Sequence, residues 1–303
     1  MSCANGRSRW PDERGNPLKK HRSSWQTAGL YILLWGWAAV VFLPLYWTIV
    51  TSLKSRRDVF NGPLYLPFIQ FQPVLDAWTR FFVTEWRYFS AQYLNSIVIA
   101  LISSVLAVAI GSLASYGLTR FKYVYGGRLR NRELSFYFIS QRILPPVAIV
   151  IPLFILFQTV KLFDTQIGLI IAYTAFNLPI VVWLMQDYFA GIPVELEESA
   201  YIDGCSRFGA FWRITLPLST PGLVATFLFV LVFAWNEYLI ALFLSQSNAQ
   251  TMPILIAAQN AQRGPEWEAI SVLTLVTILP VCVIAVFLER FISRGLLVGA
   301  VKG

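Results

Sequence analysis

The sequence predicts an all-α, polytopic membrane protein with six transmembrane helices, and three observations carry that reading. Of its 303 residues, 56% are hydrophobic and 13% charged, where a soluble domain carries about a quarter charged residues. The apolar residues gather in several blocks each longer than about 18 residues, the length a helix needs to cross a bilayer. The lysines and arginines cluster beside those blocks. The net charge of +8 is thus a matter of membrane topology and not of a nucleic-acid partner.

Residues 1–24 form a basic, polar tail that holds the single histidine, His21, read as a solvated surface residue. The first span, residues 25–53, is too long and too aromatic for a cleaved signal, and Trp25, Trp35, Trp37 and Trp47 include interface anchors. Residues 54–90 are a long external segment with Pro63, Pro67 and Pro73. The second span, 91–118, carries Ser103, Ser104, Gly111, Ser112 and Ser115, small residues that let helices approach closely. The third, 134–160, contains Pro145, Pro146 and Pro152 and is expected to be bent or broken. A turn at Asp164 leads to the fourth, 168–189. The fifth, 222–244, an external loop, 245–268, and the sixth span, 269–292, precede a short tail, 293–303. Segments 1–24, 119–133, 190–217 and 290–303 together hold sixteen Lys and Arg, whereas 54–90, 161–167 and 245–268 hold seven. The richer set is therefore expected in the cytoplasm, with both termini.

Between the fourth and fifth spans lies a polar island, 193–217. Pro193 suits the first turn of a helix, and Glu195, Glu197 and Glu198 follow at the positive end of its dipole. Gly204 can take a left-handed conformation and close that helix. Ser206 can cap a second short helix, on which Phe208, Phe211 and Trp212 are three and four apart and so expected on one face. Pro217 is expected to stop it. Cys3, Cys205 and Cys282 form no metal or redox pattern. No Gly-x-x-x-x-Gly-Lys-Ser/Thr loop is present for binding ATP, nor a catalytic constellation, so the chain is not read as an enzyme.

The run Glu198-Ser199-Ala200, then Gly204, then Ile214-Thr215-Leu216-Pro217 resembles the EAA motif of membrane permease subunits of bacterial ABC importers, with Ser199 in place of the usual first alanine. Leu196 and Asp203 look like the carbohydrate-uptake branch, the binding-protein-dependent transport family to which maltose-importer permeases belong. So do Arg142-Ile143-Leu144-Pro145-Pro146, Ala175-Phe176-Asn177-Leu178-Pro179 and Ala234-Trp235-Asn236-Glu237, and the ending Gly299-Ala300-Val301-Lys302-Gly303 is similar to theirs. The resemblance implies the type I ABC importer permease fold in a bacterial inner membrane. It also implies a second permease subunit, two ATP-binding subunits, an external solute-binding protein, either periplasmic or lipid-anchored, and a sugar substrate. No cofactor is implied on this chain, ATP and Mg being held by the partner ATPases. Residues Glu195, Glu198, Ala200, Asp203, Gly204, Phe208, Ile214, Leu216 and Pro217 are the candidates for coupling to those ATPases.

Polar residues at membrane depth usually face a bundle interior or a cavity. Asn177, Trp235, Asn236 and Glu237 are therefore candidates for the substrate path. For Asn236 and Glu237 an interhelix hydrogen bond is an equal alternative. Asn177, beside Pro179, fits better as a partner of backbone freed by the proline. Arg142 qualifies by depth as well, with a place near the cytoplasmic end of its span, snorkelling, as the alternative. Rival readings are the same architecture for a peptide or polyamine, a secondary transporter, and an intramembrane enzyme. A secondary transporter would show internal repeats, and an enzyme would need paired catalytic groups at matching depth.

Overall fold

The computed structural model describes residues 24–299 except 63–64, 126–128 and 262–263, with backbone alone for 24, 26, 125, 129, 261 and 288–299. Expectations placed on residues 1–23, including His21, and on 300–303 lie outside the described residues. In chain order the elements are α1 (Ser24–Ser52), α2 (Arg56–Phe60), α3 (Asp76–Thr79), α4 (Trp86–Arg120), a small hairpin of β1 (Val124–Tyr125) and β2 (Leu129–Arg130), α5 (Asn131–Ser140), α6 (Pro146–Thr159) and α7 (Gln166–Ala190). Then come α8 (Glu195–Ile202), α9 (Arg207–Ala210), α10 (Leu216–Leu218), α11 (Thr220–Trp235), α12 (Leu239–Leu244), α13 (Met252–Ala258), a second hairpin of β3 (Asn260–Ala261) and β4 (Gly264–Pro265), and α14 (Trp267–Gly299). π-helical turns at Arg80–Thr84 and Phe211–Thr215 join α3 to α4 and α9 to α10.

Among the described residues four helices are long and apolar enough to cross a membrane: Thr27–Ser52, Trp86–Arg120, Gln166–Ala190 and Trp267–Phe287. The third and fifth expected spans are each interrupted. The third divides into α5 and α6 at Pro145 and Pro146, which offer no N–H to the preceding turn. The fifth, expected to be continuous, breaks at Asn236–Tyr238 between α11 and α12. That is a correction: the Asn236 amide donates to the Val232 carbonyl and the Glu237 carboxylate accepts from Ile240 N, so both side chains compete with the helical ladder, and apolar periodicity hides the break.

The chain falls into two compact units that divide between Trp47 and Thr48. The described part of the first is a single helix whose large side chains, Trp25, Trp35 and Trp37 among them, are exposed. The second unit centres on the packing of α4 against α7. Small residues make this possible: a Cβ at Gly111 would lie 2.5 Å from Val181 Cγ1. Ser115 Oγ donates to the carbonyls of Gly111 (2.7 Å) and Val182 (3.0 Å), which ties the two helices where they touch. α11 and α14 complete the bundle.

One end of this unit is closed by polar contacts. Asp164, with φ of 55°, accepts hydrogen bonds from the backbone N–H groups of Gln246, Ser247, Asn248 and Ala249. Burial works against the charge of its carboxyl, yet these donors hold it below the ordinary aspartate range. Asn95 Nδ2 donates to the carbonyls of Asn248 and Gln250, and Met252 N donates to Ser96 Oγ. The other end carries the segment from α8 to α10.

Candidate functional site

Local chemistry builds the segment 193–218. Three carboxylates, Glu195, Glu197 and Glu198, occupy the first turn of α8. The helix closes at Asp203, and Gly204 follows with φ of 86°. A Cβ at Gly204 would meet nothing within 4 Å, so the glycine is required by its backbone angle alone. Ser206 then caps α9 by accepting from Gly209 N at 3.1 Å. The helical path from α9 through the π turn and α10 ends at Leu218, one residue after Pro217, as expected of a proline that stops a helix. The chain turns by 76° at Ser219 before α11 begins.

What fixes this segment to the bundle is a buried carboxylate. Glu197 is 1% exposed. Its Oε1 accepts from Arg120 Nε (2.7 Å) and Thr215 Oγ1 (2.8 Å), and its Oε2 accepts from Tyr116 OH (2.8 Å) and Tyr201 OH (3.3 Å). Arg120 Nη2 also donates to the carbonyl of Ile192 at 3.0 Å. One side chain thus gathers the end of α4, α8 itself and the π turn after α9. Burial opposes the Glu197 charge, but the bonds from Thr215, Tyr116 and Arg120 outweigh it and hold the carboxyl below the usual glutamate range. Beneath this node Phe211 packs with Tyr116, ring centroids 4.7 Å apart, and Tyr116 and Phe189 meet edge to face.

The expected single aromatic face is divided. Phe211 is 2% exposed and belongs to the bundle, whereas Phe208 (65%) and Trp212 (51%) stand outward and touch each other. The reason is the π turn, whose extra residue per turn rotates side chains away from the 3.6-residue spacing. Of the expected coupling residues, Glu195, Glu198, Asp203, Gly204, Phe208 and Pro217 are exposed together with Ile202, while Ala200 is buried and Ile214 and Leu216 are half-buried. The segment therefore has an anchored inner face and a mixed acidic and apolar outer face. Sequence reasoning missed Glu197, Arg120, Tyr116 and Thr215. The available signal was Arg120 itself, a cation closing a span on the same side as a loop with three glutamates.

The expected path residues separate. Asn177 is buried, and its Nδ2 donates to the carbonyl of Tyr173, not to that of Ala175, which Pro179 leaves without a helical donor. Trp235 is also buried, with Nε1 donating to the Thr277 carbonyl at 3.1 Å and its ring edge to face with Tyr93. Both side chains thus pack inside the bundle. Asn236 is exposed, and its Nδ2 donates to the Val232 carbonyl. Glu237 is half-buried, and its Oε1 accepts from Ile240 N at 3.0 Å, capping the half-helix α12.

Comparison with known proteins agrees with this geometry. The family described as binding-protein-dependent transport system inner membrane component matches residues 107–298, more than half the chain. The probable ABC transporter permease protein y4oR of Sinorhizobium fredii is 32% identical over 274 residues, covering 90% of this chain and 95% of that protein. The trehalose transport system permease protein SugB of Mycobacterium tuberculosis is 34% identical over 264 residues, covering 86% of this chain and 92% of that protein. Among solved structures, a chain of a bacterial ABC transporter involved in the import of the acidic polysaccharide alginate superposes with a TM-score of 0.69 at 21% identity, covering 89% of this chain and 98% of that one.

Proposed function

The chain belongs to the binding-protein-dependent transport system inner membrane component family, and from that premise we propose that it forms half of the path of an ATP-driven importer for a sugar or sugar derivative. The observation that carries this reading is the segment 193–218: a stiff pair of short helices, locked to α4 through Glu197 and Arg120, with an exposed outer face. A connector of this kind transmits a rigid-body movement without deforming. Glu195, Glu198, Asp203, Ile202 and Phe208 dock on a cytoplasmic ATPase subunit, and closure of two ATPases draws two such segments together. The second segment comes from a second permease subunit, and an external binding protein delivers the solute. Both termini lie in the cytoplasm, as the distribution of Lys and Arg supports. ATP and Mg are bound by the partner subunits, and this chain holds no cofactor. A relative named for trehalose transport supports a sugar as the substrate.

The test is reconstitution of the chain with its second permease, ATPases and binding protein in proteoliposomes. Sugar-loaded binding protein is expected to stimulate ATP hydrolysis and sugar uptake. Stimulation by peptides or polyamines and not by sugars would replace the sugar reading and leave the importer architecture standing.

A further inference from the structure

Arg142 sits in the break between α5 and α6. Its Nη1 donates to the Phe176 carbonyl at 3.2 Å, and its guanidinium lies 5.2 Å from the centre of the Phe233 ring. Phe176 is about 15 Å along α7 from its outer end at 1.5 Å per residue, which is half of a hydrocarbon core of roughly 30 Å. Of the two places the sequence allows for Arg142, this contact fits the intramembrane one and not snorkelling at the cytoplasmic end. A guanidinium has five N–H donors. Among the described residues it finds one carbonyl and one ring face, and no carboxylate within ion-pair distance. A cation at this depth needs a counter-charge or a polar cavity.

The exposed Arg142 side chain borders a cavity of about 180 Å³, in which Gln141 is the other polar side chain and Leu144, Ile149, Phe176 and Pro179 form apolar walls. Each polar group there has a distinct use. Arg142 offers a planar fork that matches a carboxylate or sulfo group. Gln141 offers an amide, and Ala175 a carbonyl to which Pro179 has no N–H to give. Phe176 supplies an apolar wall for the face of a sugar ring.

We propose that this cavity is a transit subsite for an acidic sugar derivative. Arg142 pairs with its oxyanion, while Gln141 and the Ala175 carbonyl take hydroxyl groups. This rests on the sugar-importer reading and narrows it. An anion that enters with the substrate neutralises Arg142 when the path is closed to water and leaves with it when the path opens. A fixed carboxylate at the same place would hold the site neutral and empty.

The experiment uses the complete reconstituted importer with its binding protein. Labelled uronate, sulfonated and sulfated mono- and disaccharides are offered beside their neutral counterparts. Uptake of at least one acidic sugar is expected. R142Q is expected to cut that uptake at least tenfold while the variant still assembles with the second permease, and R142K, which keeps the charge without the fork, to retain part of it. Uptake of neutral sugars only overturns the inference and leaves the sugar reading intact. Uptake of peptides or polyamines alone overturns both. Failure of both R142Q and R142K to assemble with the second permease also overturns it, because Arg142 would then be bonded to the neighbouring subunit.

Discussion

Arg120 Nε lies 2.7 Å from Glu197 Oε1, across 77 residues of sequence, with the two side chains only 7% and 2% exposed. The pair joins the end of a long membrane helix to the first turn of α8. A buried pair of this kind is weak evidence for net stability, since both charges lose water, but breaking one side of it is costly. Its clearest consequence is mechanical: α8 cannot swing away from α4 without exposing an uncompensated charge.

Removing the carboxylate alone should therefore be far worse than removing both charges. E197A is expected to destabilise the second unit by about 3–5 kcal/mol and to abolish uptake, because Arg120, Tyr116, Thr215 and Tyr201 lose a common acceptor. The double variant R120M/E197M should recover much of that stability, as an apolar pair of similar volume. Thermal unfolding of the purified complexes measures both, and an unaltered unfolding temperature in E197A would show that the node holds nothing.

The same node gives a pH dependence. The folded Glu197 carboxyl titrates below its ordinary range, so its contribution is fully present above the unfolded value of about 4.3 and is lost as pH falls through the lower folded value. The stability difference between the wild type and E197Q should stay constant from neutral pH to about 5 and shrink below about 4.3. Unfolding measured in a series of acidic buffers decides it. A difference that grows on acidification would reverse the sign and reject the assignment.

Gly204 separates conformation from space. Its φ of 86° disfavours any residue with a Cβ, yet a Cβ there would touch nothing. G204V should cost about 1–2 kcal/mol, the left-handed penalty for an L-residue, and uncouple ATP hydrolysis from loaded binding protein. G204N should be nearly silent, because asparagine visits this region. Equal effects of the two variants on stimulated hydrolysis would show that bulk, not backbone angle, matters.

At the break in the fifth apolar segment Glu237 acts first as a cap. E237Q keeps an acceptor for Ile240 N and should leave stability near wild type, whereas E237A should lose about 1 kcal/mol, the usual worth of such a cap. If Asn236 also faces the path, a cysteine at 236 should label with a soluble thiol reagent in a manner that depends on nucleotide. A residue 236 that labels equally in all states would assign the break a purely structural role.

The sequence by itself determined where the apolar segments lie, their order and the glycine-hinged segment between two of them, but not that the fifth is broken. These are local matters. Hydropathy is summed along the chain, the serine cap of α9 spans three residues, and the left-handed angle at Gly204 is a property of one residue. The tertiary structure alone decided which of the three glutamates turns inward, because Glu195, Glu197 and Glu198 differ by rotations about α8 that only the position of Arg120 can select. It also decided that Phe211 faces the bundle while Phe208 and Trp212 do not, through a π turn that no spacing rule anticipates. Arg142 follows the same logic. Its depth depends on where a broken helix lies against α7, and an unpaired charge in the sequence acquires meaning only when its neighbours in space are known.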